Sequence, residues 1–467
     1  MSRRPDSNRR LTVYKTVTLP TELRRLIDVM SAETPILRIN SLTLLPILWI
    51  MQIIDAEEAI AGLMLASQQH TAEVWPWRNL GQMLASMGRV SEARAALQRA
   101  LSIDQNDLAS LWGAYELEQV FGNPEGALAL QKRAIALAPV VACQGLLHAP
   151  PGRRSAPLAQ PCRVLMLCVP GTYQANNPLE YIVDSESITL HKWFLTGGPT
   201  PELPDHDVVF NAIGYAHGVE PALLQAEQFL ETQSKPVINA PKAVLQTSRA
   251  AVARLFATSQ NVYAASTVQL SRSGVEQLPI DQPIVLRPLN SQAGNNFSKI
   301  SYPAELVAYL ASVPGIDEFY SAPFIEYANN DRLYRKYRIA FIDGQPYPVH
   351  LAISPSWMVH YYNSAMADHR WMRDEEAAFM ENIYNVFQGT AAAALREIAR
   401  NFDLEYFAID CSLMPDGRVL LFEADTAMII HMGDPIEIYP YKHEYVPRIV
   451  DALDRLFGRV AAQGCAA

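Results

Sequence analysis

Apolar and small positions along this chain change their period twice. Between residues 71 and 139 they recur every 34 residues: Gly88 falls on Gly122, Ala93 on Ala127, Arg99 on Arg133, Ala100 on Ala134 and Ile103 on Leu137. Trp77 and Leu80 fall on Leu111 and Ala114. One period earlier, Ala59 and Ala66 take the places of Ala93 and Ala100, so a worn third copy starts near residue 37. Recurring small residues let two antiparallel helices approach closely, and the glycine ends the first helix of each pair. A loop rich in proline and glycine follows at 149–157 and reads as a linker. From Arg163 the texture becomes strand and helix in alternation. Buried strands are predicted at 163–169 and 207–213, a helix at 221–233 and a third strand at 236–239, a βαβ rhythm that implies a small parallel sheet. After about residue 245 the strands lengthen and are joined by tight turns, as in antiparallel sheets with helices on one side.

The 34-residue period resembles the tetratricopeptide repeat. That resemblance implies either a concave groove for a peptide or protein partner, or packing against the rest of the chain. At 467 residues the chain exceeds one hydrophobic core and calls for two to four units. A net charge of −10 offers no large basic surface, which argues against a nucleic-acid partner. The basic opening, residues 1–10, reads as a disordered tail. The strongest apolar run, residues 42–54, contains Pro46 and falls short of the roughly 20 residues needed to cross a bilayer, so a buried helix and no membrane partner are expected. It also lies too far inside the chain for a signal peptide. Five scattered cysteines without a C-x-x-C pair fit reduced thiols and a cytoplasmic location.

The chemistry concentrates near residues 406–425. Two strand-like runs flank Asp416-Gly417, a dipeptide suited to a type I′ hairpin turn in which both central residues have positive φ. Centred there, the hairpin sets Asp410 opposite Glu423, with Asp425 diagonal to Asp410 on the same face. Ile409, Cys411, Phe422 and Ala424 make the other face, which is apolar and expected to be buried. Three carboxylates on one face repel unless a cation sits among them, and oxygen-only ligands suit Mg²⁺. The alternative is an acidic solvent face.

This hairpin resembles the metal-binding end of ATP-grasp enzymes: Asp410 and Glu423 match the two acidic ligands, and Asp425 replaces the usual asparagine. Further segments follow the family's order. Residues 235–241 resemble the strand and turn that open the ATP-binding part. Residues 283–288 resemble the strand of an ATP-contacting lysine, here Arg287, and an earlier family lysine falls near Arg249. Residues 290–296, with Asn290, Ser291 and Gly294, stand where the family has its phosphate loop. Phe324, Ile325 and Glu326 resemble the adenine hinge, with Asp331 placed for the ribose. Residues 337–348 are close to the glutathione-synthetase type of strand, in which the arginine matching Arg338 faces the transferred phosphate.

The resemblance implies a multidomain fold, with all-α tetratricopeptide-like repeats followed by α/β and α+β ATP-grasp domains. The expected boundaries are a tail and helix over 1–36, repeats over 37–148, a linker over 149–162, a βαβ domain over 163–242, an ATP-grasp domain over 243–458 and a tail over 459–467. The implied activity is an ATP- and Mg²⁺-dependent carboxylate–amine ligase working through an acyl phosphate. In it Asp410, Glu423 and Asp425 hold metal, Arg338 and Arg287 serve catalysis, and Arg249, Arg287 and Lys299 steady phosphates. Substrates would be a small-molecule or peptide carboxylate and an amine, with a peptide or protein partner on the repeats. His350, Trp357, His360, Tyr361, Tyr362, Asn363, His431 and Tyr439 read equally well as an acceptor pocket or as a packed hairpin. A kinase on the same fold and an inactive scaffold are the competing readings; the thinned glycine loop favours the latter and the intact carboxylates oppose it.

Overall fold

The computed structural model describes residues 56–143, 161–172, 174–184, 186–289, 291, 294–361, 364–431 and 433–465. The segment 1–36, the apolar run at 42–54, most of the linker, Asn290, Tyr362 and Asn363 lie outside the described residues. The chain divides into two compact units, with the boundary between Leu130 and Gln131.

The first unit is built from α1 (Ala56–Gln69), α2 (Val74–Ser86), α3 (Val90–Ile103), α4 (Leu108–Val120) and the start of α5 (Pro124–Leu137), which crosses the division. The repeated alanines are its contact points: Ala59, Ala66, Ala93, Ala100 and Ala127 are all buried. Gly88 and Gly122 end α2 and α4 with φ of 72° and 69°, and the residue after each donates back to the carbonyl of Leu84 or Glu118. That left-handed closure leaves the helix cheaply only at glycine. Leu97 of α3 is 1% exposed, and a Cβ on Gly81 or Gly113 would come within 2.6 or 2.9 Å of it.

The second unit holds three sheets. In the first, β1 (Val140–Cys143), β2 (Cys162–Cys168), β3 (Ile188–Phe194), β4 (Val208–Asn211) and β5 (Val237–Ile238) run in the order β1-β3-β2-β4-β5. Four of these are parallel; β1 is an antiparallel edge, although residues 140–143 fall in the stretch assigned to the repeats. Burial of β2 from Val164 through Cys168 explains its unbroken apolar run. The expected helix is α6 (Glu220–Leu230), and α7 (Arg249–Leu255) follows the sheet. Residues 459–465, expected as a tail, continue α11 (Pro447–Cys465), whose Phe457 packs edge-on against Phe210 of β4 at 6.0 Å.

Two antiparallel systems follow. β7 (Val268–Ser271), β8 (Ile284–Pro288), β9 (Ser298–Ile300) and β10 (Glu318–Pro323) form a sheet in the order β7-β10-β8-β9, with the buried side chains of α8 (Pro303–Ser312) in its core. β6 (Val262–Ala264), β11 (Tyr334–Ile342), β12 (Gln345–Ser354), β13 (Tyr406–Leu413) and β14 (Val419–Asp425) form the third, in the order β12-β11-β13-β14-β6. One face of the third sheet pairs Tyr337 with Cys411, Ile339 with Ile409 and Phe341 with Phe407, all 3% exposed or less. Phe379 of α9 (Arg370–Glu381) and Phe402 of α10 (Thr390–Phe402) pack on that face. The other face carries the charges.

Candidate active site on the third sheet

Strand alternation puts Lys336 and Arg338 on one face of β11, and Arg338 lies directly across from Asp410. Asp410 in turn opposes Glu423, and His350 of β12 opposes Arg338 on the other side. Four neighbouring strands thus contribute one row: His350, Arg338, Asp410, Glu423.

The opposition of Asp410 and Glu423 arises by a route that the hairpin spacing does not predict. The turn is a longer one: Met414 and Arg418 are joined by a 2.9 Å N–H to O bond, and Gly417 N donates to Met414 O. Gly417 has φ of 84°, whereas Asp416 is absent from the positive-φ residues and caps Arg418 N. Near the turn Leu413 therefore pairs with Val419, one residue out of the expected register. A bulge at Phe422 adds the missing residue and restores the pairing at Asp410. A second bulge, at Val349, interrupts β12 beside Arg338. Bulges re-aim side chains, and here one flanks the row on each outer strand. Phe422, expected to be buried with Ile409 and Cys411, is half-buried, with its ring 5.0 Å from that of Tyr327.

Two of the three carboxylates draw their cations from side chains. Asp410 is 1% exposed; its Oδ1 accepts from Arg338 Nε at 2.8 Å, and its Oδ2 from Lys336 Nζ at 2.9 Å and Arg338 Nη2 at 3.1 Å. Burial acts to raise its pKa, but Arg338 and Lys336 together hold the carboxyl far below the usual range. Glu423 Oε2 accepts from Arg249 Nη2 at 2.6 Å. Burial acts upward there too, as does the charge of Asp410, but Arg249, Lys336 and Arg287 together bring the carboxyl below its usual range. Among the described residues, Asp425 has no such partner. Burial pushes it up to about 6 against the opposing Ala427 N–H, which donates to Oδ1 at 2.8 Å.

Arg287, on β8, is 9% exposed, and its hydrogen bonds go to the hydroxyl and carbonyl of Ser291. No carboxylate bonds it among the described residues. Burial, aided by the charge of Arg249, pushes its pKa down to about 10. Lys299 of β9 likewise lacks a carboxylate among the described residues; its ammonium lies 3.6 Å from the centre of the Phe324 ring. Gly294, with φ of 74°, lies against His360, into whose imidazole a Cβ would collide. The segment expected as the phosphate loop and the loop after β12 therefore meet.

The residues expected to form the hinge fall after β10. Phe324 N donates to Pro283 O, Ile325 is half-buried, and exposed Glu326 accepts from the backbone of Tyr327 and Ala328. Asp331 pairs with Arg335 at 2.9 Å and borders an open cleft of about 430 Å³ against Leu413, Met414 and Pro415. The aromatic and histidine group divides. Trp357 packs on Phe297 and Phe324, at 5.3 and 5.5 Å, on the hinge side. His350 instead packs on Tyr361, at 4.7 Å, and Tyr361 bonds Lys442. His431, its pKa lowered by burial, accepts from Gly433 N at 3.1 Å. Lys442 is buried between Asp434 at 2.8 Å and Glu376 at 3.3 Å, and Tyr361 and Tyr439 present their rings to it at 4.1 and 4.7 Å. Lys336, Lys442 and Glu376 did not stand out in the sequence. Alternation from Arg338 could have exposed Lys336; nothing local marks the other two.

The first sheet reaches the same place. A Cβ on Gly214, just past β4, would lie 3.3 Å from Asp425 Oδ1, and Thr426 bonds Ile213 O and Asn177. The carboxyl ends of parallel strands thus border the charged face, as ligand crevices of open α/β sheets do.

A magnesium ion fits this donor set only in part. Among the described residues no three His, Cys, Asp or Glu side chains come together as a metal-binding group. Both oxygens of Asp410 are taken by cations. Glu423 and Asp425 each keep one oxygen without a described partner, which suits one Mg²⁺ completed by phosphate oxygens and water.

No protein-family model and no curated protein matches this chain. Among solved structures it is similar to the D-alanine–D-alanine ligase of Coxiella burnetii, at 12% identity and a TM-score of 0.42, over 65% of this chain and 96% of that one. It is similar to the VanG D-Ala:D-Ser ligase of Enterococcus faecalis at 12% identity and 0.40, over 64% and 100% of the two chains. A RimK-domain ATP-grasp protein from Sphaerobacter thermophilus gives 14% and 0.37, over 64% and 98%. Likenesses this loose leave the chemistry to be read from the side chains. Among the described residues, no helix is long and apolar enough to cross a membrane.

Proposed function

We propose that this chain is an ATP-dependent carboxylate–amine ligase of the ATP-grasp type. The observation that carries the reading is Arg287: a buried guanidinium within range of the Arg249 and Glu423 charges, without a carboxylate bonded to it among the described residues. A buried unpaired cation is costly, and a polyphosphate would complete it. Arg287, Arg249 and Lys299 bind the nucleotide phosphates in this reading, with the hinge at Phe324–Glu326 holding the base and Asp331 the ribose. Arg338 orients the transferred phosphoryl group. Glu423 and Asp425 would hold Mg²⁺, which supplies charge neutralisation at the phosphates.

A carboxylate oxygen of the first substrate attacks the terminal phosphorus and ADP leaves, giving an acyl phosphate. The amine then attacks the acyl carbon, phosphate departs, and the amine's proton passes to solvent or a neighbouring base. Fixed guanidinium groups suit this chemistry because phosphoryl transfer depends chiefly on positioning and charge stabilisation. The rings of His350, Tyr361 and Tyr439 cluster beside Arg338 and would contact the acceptor.

The test is to supply ATP, Mg²⁺ and pools of amino acids and short peptides. Release of ADP and phosphate that depends on the acceptor and is lost in Arg338→Met supports the ligase. ADP without free phosphate would indicate a kinase. No turnover together with no ATP binding would leave a scaffold.

A further inference from the structure

We propose that Lys336 takes the place of a divalent cation at Asp410, so that this site binds its nucleotide with a single metal ion, held by Glu423 and Asp425. The inference rests on the ATP-dependent reading and narrows it.

Asp410 is the most enclosed of the three carboxylates, with 2% of its side chain exposed, and its charge is already balanced. Lys336 holds one oxygen and the Arg338 fork spans both. A magnesium ion on Asp410 would sit about 2.0 Å from an oxygen that already accepts from a cation about 3 Å away. At that range, like charges with little water between them repel strongly. Nor can the ammonium move out of the way easily. Lys336 keeps 15% of its side chain exposed, and its strand is fixed between β12 and β13. Arg338 is tied at its far end as well, through Nη1 to Ile429 O at 3.5 Å.

Glu423 and Asp425 differ on each point. Each is only half-buried and each keeps an oxygen without a described partner. They lie two residues apart on one strand, and the charge of Glu423 bears on Asp425. Mg²⁺ commonly binds through one or two carboxylates plus phosphate oxygens. Asp410 therefore serves as the anchor that positions Lys336 and Arg338 toward the phosphates, and it is not a metal ligand.

The experiment counts bound Mn²⁺ by electron paramagnetic resonance in the full chain with a non-hydrolysable methylene analogue of ATP. Analogue binding is measured by calorimetry on the same samples. One ion per chain is expected for the unaltered protein. Lys336→Met, which removes one of the two cations on Asp410 and leaves Oδ2 with only the 3.1 Å bond from Arg338 Nη2, should bind two, and Lys336→Arg one. Glu423→Gln should weaken the single ion roughly tenfold or more. Two ions in the unaltered protein, or one in Lys336→Met, would overturn the proposal while leaving the ATP reading intact. Absence of analogue binding would overturn both.

Discussion

In the helical unit, Leu97 lies in a slot left by Gly81 and Gly113, within an apolar cluster. On the third sheet, Asp410, as well shielded, lies between Lys336 and Arg338. The first arrangement gains from leaving water and needs only complementary shape. The second loses solvation on three ionised groups and recovers it only through their mutual geometry. A chain that could fill its interior with apolar residues, as it does on the opposite face of the same sheet, has instead kept a charged row. That retention points to a ligand.

Substitutions can break this comparison or sharpen it. The largest effect is expected from Asp410→Ala, which strands two cations. Stability in urea should fall by about 3–5 kcal/mol, with part of the loss recovered when ATP is added. Leu97→Ala should cost about 3 kcal/mol by the same measurement, with ATP affinity by calorimetry unchanged. Were ATP to rescue Leu97→Ala as well, the contrast between the two regions would fail.

Arg287→Met should move the two properties in opposite directions. Removing a buried cation without a carboxylate partner among the described residues is expected to raise stability by about 1 kcal/mol, while ATP affinity drops at least roughly tenfold. A stability loss with unaltered affinity would reassign Arg287 to the core.

The smallest effect concerns pH. Burial, together with the charges of Arg338, Lys442 and Lys336 and against that of Asp410, holds His350 well below its ordinary pKa of 6.5. Below that value the unfolded chain takes up a proton that the folded one refuses. The stability contributed by neutral His350 is therefore complete above pH 6.5 and is lost as pH falls. His191, His360 and His431 are shifted the same way, so urea midpoints measured from about pH 7.5 to about 5.5 should decline, and His350→Phe should make that decline shallower.

Much of this molecule is legible in local pattern. The 34-residue period marked the alanines at the helix contacts and the glycines with positive φ at 88 and 122. Continuous apolar runs marked β2 and β4. Alternation separated the buried face of the hairpin from the charged one. The strands β1 and β3 were not visible, since neither carries a long apolar run and β1 follows directly on a helical pattern. The facing of Asp410 and Glu423 was anticipated from the wrong turn. A three-residue loop shifts the register by one, and the Phe422 bulge shifts it back.

Local pattern settles most of the elements and which side chains share a face, because periods of 3.6 and 2 act between near neighbours. The balance of charge is settled by the folded arrangement instead. Arg249 meets Glu423 across 174 positions of chain, Lys336 meets Asp410 across 74, and Lys442 closes on Tyr361 across 81. Coulomb energy depends on distance in space and on shielding from water, and neither is written in sequence separation.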